Sequence, residues 1–285
     1  MTEKEKSISK LINSDSPHIR DCQSIGKIMW FVVLALLPSN VYTIYLSGIS
    51  YLILLAVSVF SAAIIEFLYQ AIIYKKVSIP DGSAVITGLL IAMNVPHGLP
   101  VWMTAIASFF AIIIVKQAFG GLGFNIFNPA LAAIALLIAL WPAEMAVNQE
   151  IGIIPLILLL IGAVFLMINK IISWHIPASY LGSFFIIVIL YNIISGNEIS
   201  LRIITIHFFS AGLFLGAFFM ATDMVTSPVT KKGMLIFGIG CGIFTFVIRT
   251  VGAFEEGVCF AILFMNAAVP LIDKYSKPRV FGAII

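Results

Sequence analysis

The feature that most constrains this chain is a succession of apolar runs, separated by short segments where Pro, Gly and charged residues gather. They fall at about 28–47, 51–74, 82–96, 101–116, 128–147, 152–173, 178–195, 204–221, 233–252 and 257–273. Helices and strands of soluble domains keep one polar face for water; runs this continuous do not. A chain of 285 residues that is 61% hydrophobic and 10% charged also has too little interior to hide such a surface. The fold class read from this pattern is an all-α polytopic membrane protein with about ten transmembrane helices, set in a lipid bilayer. A soluble enzyme, a nucleic-acid-binding domain and a disordered chain are excluded. The chain divides into an N-terminal segment, 1–27, a single ten-helix membrane domain, 28–273, and a C-terminal tail, 274–285.

The 82–96 run is the short one. A helix of that length rises roughly 22 Å, less than a hydrocarbon core of about 30 Å, so it reads as a crossing or as a re-entrant segment. Charge placement decides for the crossing. With ten crossings, 14 Lys and Arg fall on the side of the termini and 2, Arg202 and Arg249, on the other. Lys75, Lys76, Lys116, Lys170, Lys231 and Lys232 are the basic residues of that first side that lie between helices. The positive-inside rule then puts both termini in the cytoplasm. The first 26 residues are polar and contain no apolar core ending in a small-residue cleavage site, so no cleavable signal is read there. Cys22, Cys241 and Cys259 are too widely spaced for an all-protein metal site, and no metal is expected.

An internal echo accompanies the ten runs. The second and sixth runs are each followed by Ile-Pro, at Ile79-Pro80 and Ile176-Pro177, and about fifty residues later each half has a helix-opening turn, Asn128-Pro129 and Ser227-Pro228. The halves are offset by 97 to 99 residues. Four helices separate the matched features, so this alignment describes a parallel duplication.

Three polar segments and one acid could carry chemistry. In Lys116–Ala130, KQAFGGLGFNIFNPA, the glycines Gly120, Gly121 and Gly123 permit positive φ and close backbone approach. Asn128 is a good helix cap with Pro129 at the first helical position, and Asn125 lies just before it. Such a helix start can hold an anion or the polar edge of a flavin, or it can be a tight turn and nothing more. In Ala221–Lys232, ATDMVTSPVTKK, Asp223, Thr226, Ser227 and Thr230 gather around Pro228 ahead of two lysines. That set suits a phosphate, a sugar chain or a cation, or serves as a cap with topology charge. Asp81–Gly88, DGSAVITG, opens the short helix. Glu66 sits inside the second run, where an acid is costly and faces a polar cavity or a partner. It can carry a proton or sodium ion, or pair with Lys116 or His207. Trp30, Trp102, Trp141 and Trp174 lie near helix ends as interfacial anchors. No P-loop, hydrolytic triad or dinucleotide-binding glycine motif is present.

Taken together, SPHIR at Ser16–Arg20, the DGSAVITGLL run, GGLGFNIFNPA, the HIP before the seventh run, TDMVTSPVTKKG and the tail MNAAVPLIDKYSKPRVFG resemble the D subunit of Rnf complexes, a family related to the B subunit of the sodium-translocating NADH:quinone reductase. The matches run in order from Ser16 to Gly282. The resemblance implies a ten-helix flavin carrier in the cytoplasmic (inner) membrane of a prokaryote. Its complex would pass electrons between ferredoxin and NAD, coupled to sodium or proton translocation, with other membrane and peripheral redox subunits as partners. In such a complex Glu66 is this chain's best candidate for the ion path. The family carries FMN as a phosphoester to Thr in a short [S/T]-G-A-[S/T] motif between the fifth and sixth helices. Here that segment, Pro142–Glu150, reads PAEMAVNQE and contains neither Ser nor Thr, and the motif occurs nowhere else. No covalent FMN is therefore expected, which leaves a noncovalent riboflavin or FMN near the two polar loops. The alternatives are a redox-silent scaffold of such a complex and a urea-transporter-like solute channel.

Overall fold

The computed structural model describes residues 24–75, 79–146, 152–196, 212–251 and 257–277. SPHIR, Cys22, Arg202, His207 and residues 147–150 of the PAEMAVNQE segment lie outside them. Among the described residues there is no strand, and, besides the single-turn helices Ile79–Asp81 and Pro142–Met145, ten α-helices follow in order. These are α1 (Ile25–Ser47), α2 (Ile49–Tyr69), α3 (Ser83–Asn94), α4 (Val101–Phe109), α5 (Pro129–Leu140), α6 (Ile153–Ile168), α7 (His175–Ile194), α8 (Leu213–Leu215), α9 (Lys231–Val251) and α10 (Gly257–Ser276). Three continue as π-helix: α2 into Gln70–Tyr74, α4 into Phe110–Gln117 and α8 into Gly216–Met220. Five are long and apolar enough to cross a bilayer, and α3, α4, α5 and α6 are shorter apolar helices. The protein is a multi-pass membrane protein.

Local chemistry sets the helix starts. Asn128 caps α5, its side chain accepting from the Ala130 and Leu131 amides at 3.0 and 3.3 Å, with Pro129 in the first turn. Ser24 caps α1 through the Lys27 amide. At α3 the cap position is Gly82, at φ 80°, while Asp81 from one residue earlier accepts from the Ser83 amide and hydroxyl.

The short α3 runs from one end of the bundle to the other. Its first residue, Ser83, touches the end of α4 through Lys116, and the turn after its last residue places His97 against Ser47 at the end of α1. Ser83 and His97 thus mark opposite ends of the bundle. Every lysine among the described residues falls at the Ser83 end, at the start of α1, α9 and the close of α2, α4, α6 and α10. Arg249, near the close of α9, is at the other.

Small residues let the helices meet at backbone distance, the packing that works where lipid removes any hydrophobic drive. A side chain at Gly88 of α3 would stand 2.6 Å from the Val59 backbone of α2, and one at Gly242 of α9 2.6 Å from the Tyr180 carbonyl of α7. Outward faces stay apolar, as at Phe60, Ile64 and Ile72.

The parallel duplication is not repeated in the packing. That alignment pairs α2 with α6, yet α2 packs along α3 and α4 whereas α6 packs on α1. What recurs is a five-helix offset: α2 lies on α4 as α7 lies on α9, while α1 meets α6 and α5 meets α10. An odd offset reverses direction, so the related halves are inverted. The Ile-Pro and Xaa-Pro matches mark turn chemistry, which returns wherever a chain re-enters the membrane.

Candidate functional site

The buried face of α2 carries Tyr51, Leu54, Ser58, Ala62 and Glu66, spaced three or four apart as a helix requires, and the π-helical turn that follows adds buried Gln70. The π-helical close of α4 places two consecutive residues, Lys116 and Gln117, inward together. They meet Glu66. Lys116 Nζ donates to Glu66 Oε1 at 2.7 Å and Oε2 at 2.8 Å, and to Ser83 Oγ at 2.7 Å. Gln70 and Gln117 each donate from Nε2 to Glu66 Oε1 at 3.0 Å. Glu66 is 1% exposed, Lys116 2% and Gln117 2%. The pairing with Lys116, one of the partners the sequence left open for Glu66, is the one formed. Charge-assisted bonds to both carboxylate oxygens offset the cost of burying the acid. Gln117 Oε1 is left without a hydrogen-bond partner, in space that a side chain at Gly121 would narrow to 3.5 Å.

Lys116 and Ser83 also line a cavity of about 90 Å³, and Asn125, Asn128, Thr87, Thr222 and Asp223 share its wall. The rest is apolar, including Met29, Leu122, Met224 and Leu166. A wider groove of about 630 Å³ opens beside it and shares Ile171, Ile172, Thr222 and Met224 with it, adding Trp174 and Ser227. The groove is within the usual range of a small-molecule site, about 300–1,000 Å³, and the cavity is a polar recess at its side. Burial pushes the Asp223 carboxyl above its ordinary range, opposed by the Val225 N–H, the Thr226 hydroxyl and the Lys116 charge.

Of the residues singled out in the sequence, Asn125, Asn128 and Asp223 come together in the cavity and Ser227 lines the groove. Thr226 stands behind them, donating to Asp223 Oδ2 at 3.2 Å while its carbonyl accepts from Asn266. Thr230 pairs with Ser276 and caps the start of α9. Gly120, Gly121 and Gly123 all take positive φ, 114°, 94° and 94°, and shape the turn without lining the cavity. Thr87, from the Asp81–Gly88 segment, lines the cavity as well, and sequence reasoning missed Ser83 and Thr222 as lining residues. It also missed Asn266, whose Oδ1 accepts from the Asn128 amide at 3.3 Å and so ties the two loops together. A lone amide in the apolar run of α10 was the available signal.

A second polar cluster lies at the other end of α2. Tyr51 Oη donates to Asn40 Oδ1 at 2.7 Å, Asn40 donates on to the Leu36 carbonyl, and the Tyr51 ring meets His97 at 4.6 Å. Ser47 Oγ lies 2.8 Å from His97 Nδ1. The cluster is neutral, and burial lowers the His97 pKa from its ordinary value.

Known proteins are similar to this sequence over most of its length. The model of the NQR2, RnfD, RnfE family matches residues 12–149 and 146–282. The chain is 39% identical to the D subunit of the Na(+)-translocating ferredoxin:NAD(+) oxidoreductase complex of Acetobacterium woodii, over 94% of each chain. It is 37% identical to the D subunit of the proton-translocating ferredoxin:NAD(+) oxidoreductase complex of Clostridium ljungdahlii, over 94% of this chain and 95% of that one. It is 31% identical to the D subunit of the ion-translocating oxidoreductase complex of Aliivibrio salmonicida, over 94% and 97%. These alignments run to 309, 321 and 344 positions against 285 residues here, so each relative carries residues where this chain has none.

Proposed function

The chain belongs to the NQR2, RnfD, RnfE family, and on that premise we propose that it is the D subunit of an Rnf-type complex that couples electron transfer between ferredoxin and NAD to the movement of sodium ions or protons. Its partners are the other membrane and peripheral redox subunits, and its place is the cytoplasmic membrane, with the lysine-rich end and both termini inside. The observation that carries the reading is the cavity. Two polar loops about a hundred residues apart in sequence meet there, against a buried ion pair.

The residues around the cavity fit a noncovalently held flavin. Amides of Asn125 and Asn128, the Thr222 hydroxyl and the Asp223 carboxyl supply the mixed donors and acceptors that a flavin's polar edge requires, and the apolar wall and Trp174 groove suit its rings. When bound, a flavin supplies one- and two-electron chemistry. The protein's own share is to hold its edge, exclude water and set the local charge. Asn128 is fixed for this by its cap and by Asn266. Covalent FMN has no place in this reading, because Pro142–Glu150 offers no hydroxyl. Glu66 serves the ion path, at the end of a buried face on α2 where Ser58 Oγ donates to the Gly88 carbonyl and Ser108 Oγ to the Ser58 carbonyl.

The test is to tag the native chain and purify it from its own membrane. We expect cluster- and flavin-binding subunits to accompany it, with ferredoxin- or NADH-linked electron flow, flavin released on denaturation and an intact mass without added FMN. A chain that never copurifies with redox subunits contradicts the proposal. A complex in which this chain holds no flavin of either kind makes it a redox-silent scaffold.

A further inference from the structure

Lys116 occupies an unusual position between two acids. On one side its ammonium is bonded to both oxygens of Glu66. On the other it forms part of the wall of the cavity that also contains Asp223, and it is close enough for its charge to act on that carboxyl. Ser83 holds the ammonium from a third direction and is itself held by Asp81, so the lysine is fixed between the Glu66 carboxylate and the cavity wall. In low dielectric a single positive charge cannot fully compensate two negative ones.

We propose that Lys116 is a shared cation that links the charge state of the cavity to cation uptake at Glu66. This rests on the reading of the cavity as the place of an electron-carrying group. While the cavity is neutral, Lys116 compensates Glu66. A negative charge arriving there draws on the same ammonium, and Glu66 is then undercompensated and takes up one proton or one sodium ion. The charges balance: one negative charge enters the cavity and one cation joins Glu66. The groups facing the ammonium are Glu66, Ser83 and, across the cavity, Asp223, while Gln70 and Gln117 hold the carboxylate in place without charge of their own. The same two glutamines leave Glu66 oriented when Lys116 moves its charge elsewhere, so a cation finds a prepared site.

Reductive titration of the purified complex, followed by infrared difference spectroscopy of the carboxyl region, tests the link. In the native complex, reduction should raise a protonated-carboxyl band, or a sodium-dependent shift of the carboxylate bands, that Glu66→Gln removes. In Lys116→Met, Glu66 should already carry its proton before reduction, and the reduction-linked signal should be lost. Ser83→Ala, a milder change, should keep the fold and enlarge the signal by loosening the lysine. A signal that survives unchanged in Lys116→Met, or that is absent from the native complex although its flavin is reduced, overturns the proposal. A complex with no flavin at the cavity overturns the reading beneath it. A purely structural ion pair would lower stability in both variants and leave the carboxyl signal where it was.

Discussion

The two ends of α2 hold buried polar clusters of opposite character. At the lysine-rich end, Glu66 is charged, is bonded by four donor contacts from Lys116, Gln70 and Gln117, and lies next to a cavity. At the other, Tyr51 bonds Asn40 and His97 pairs with Ser47, neutral groups joined by the contact of the Tyr51 and His97 rings. A neutral, mutually satisfied cluster fixes helices and costs little. A buried ion pair adjoining a cavity is a poor way to gain stability, since apolar replacements are often as good. Under the proposal, its presence beside the cavity reflects work done there, and the Tyr51 cluster reflects packing.

That contrast can be broken by substitution. The largest effect should come from Lys116→Met, which leaves Glu66 buried without its cation and should cost about 3–5 kcal/mol of stability. Adding Glu66→Gln should recover much of that loss, as read by thermal unfolding of the detergent-solubilised complex. Tyr51→Phe should cost less, about 1–3 kcal/mol, because it strands the Asn40 carbonyl oxygen. It should leave flavin content and ion uptake unchanged, and altered uptake would erase the distinction between the two ends. Asn128→Ala removes the α5 cap at about 1 kcal/mol and, unlike Tyr51→Phe, should release flavin on washing. The smallest effect is in pH. Because burial lowers the His97 pKa, the unfolded chain binds a proton that the folded chain refuses. Stability should therefore rise as pH climbs from the lowered folded value toward the ordinary value near 6.5, and His97→Gln should flatten that slope.

Much of this architecture was legible in the residues, for definite reasons. Apolar run length and lysine placement are one-dimensional signals, and they give an all-α, multi-pass chain with its lysines at one end. Cap chemistry at Asn128-Pro129 and the positive φ of Gly120, Gly121 and Gly123 are local, so they too could be read. Convergence was harder. That Asn125 and Asp223 share a wall depends on α10 supplying Asn266 between their loops, a contact across 138 residues. Nothing in local periodicity announces the π-helical turns that turn Lys116 and Gln117 inward together, although such turns recur at functional sites. The duplication was misread for a related cause: helix-end prolines repeat with turn chemistry, while the pairing of α2 on α4 and α7 on α9 repeats with the fold.

If the charged end of α2 couples ions to electrons, Glu66 must govern ion uptake. Ion uptake per electron in proteoliposomes holding the complex with Glu66→Gln tests it most directly. Electron flow should continue while uptake of sodium ions or protons falls away. Uptake at the native ratio would contradict it.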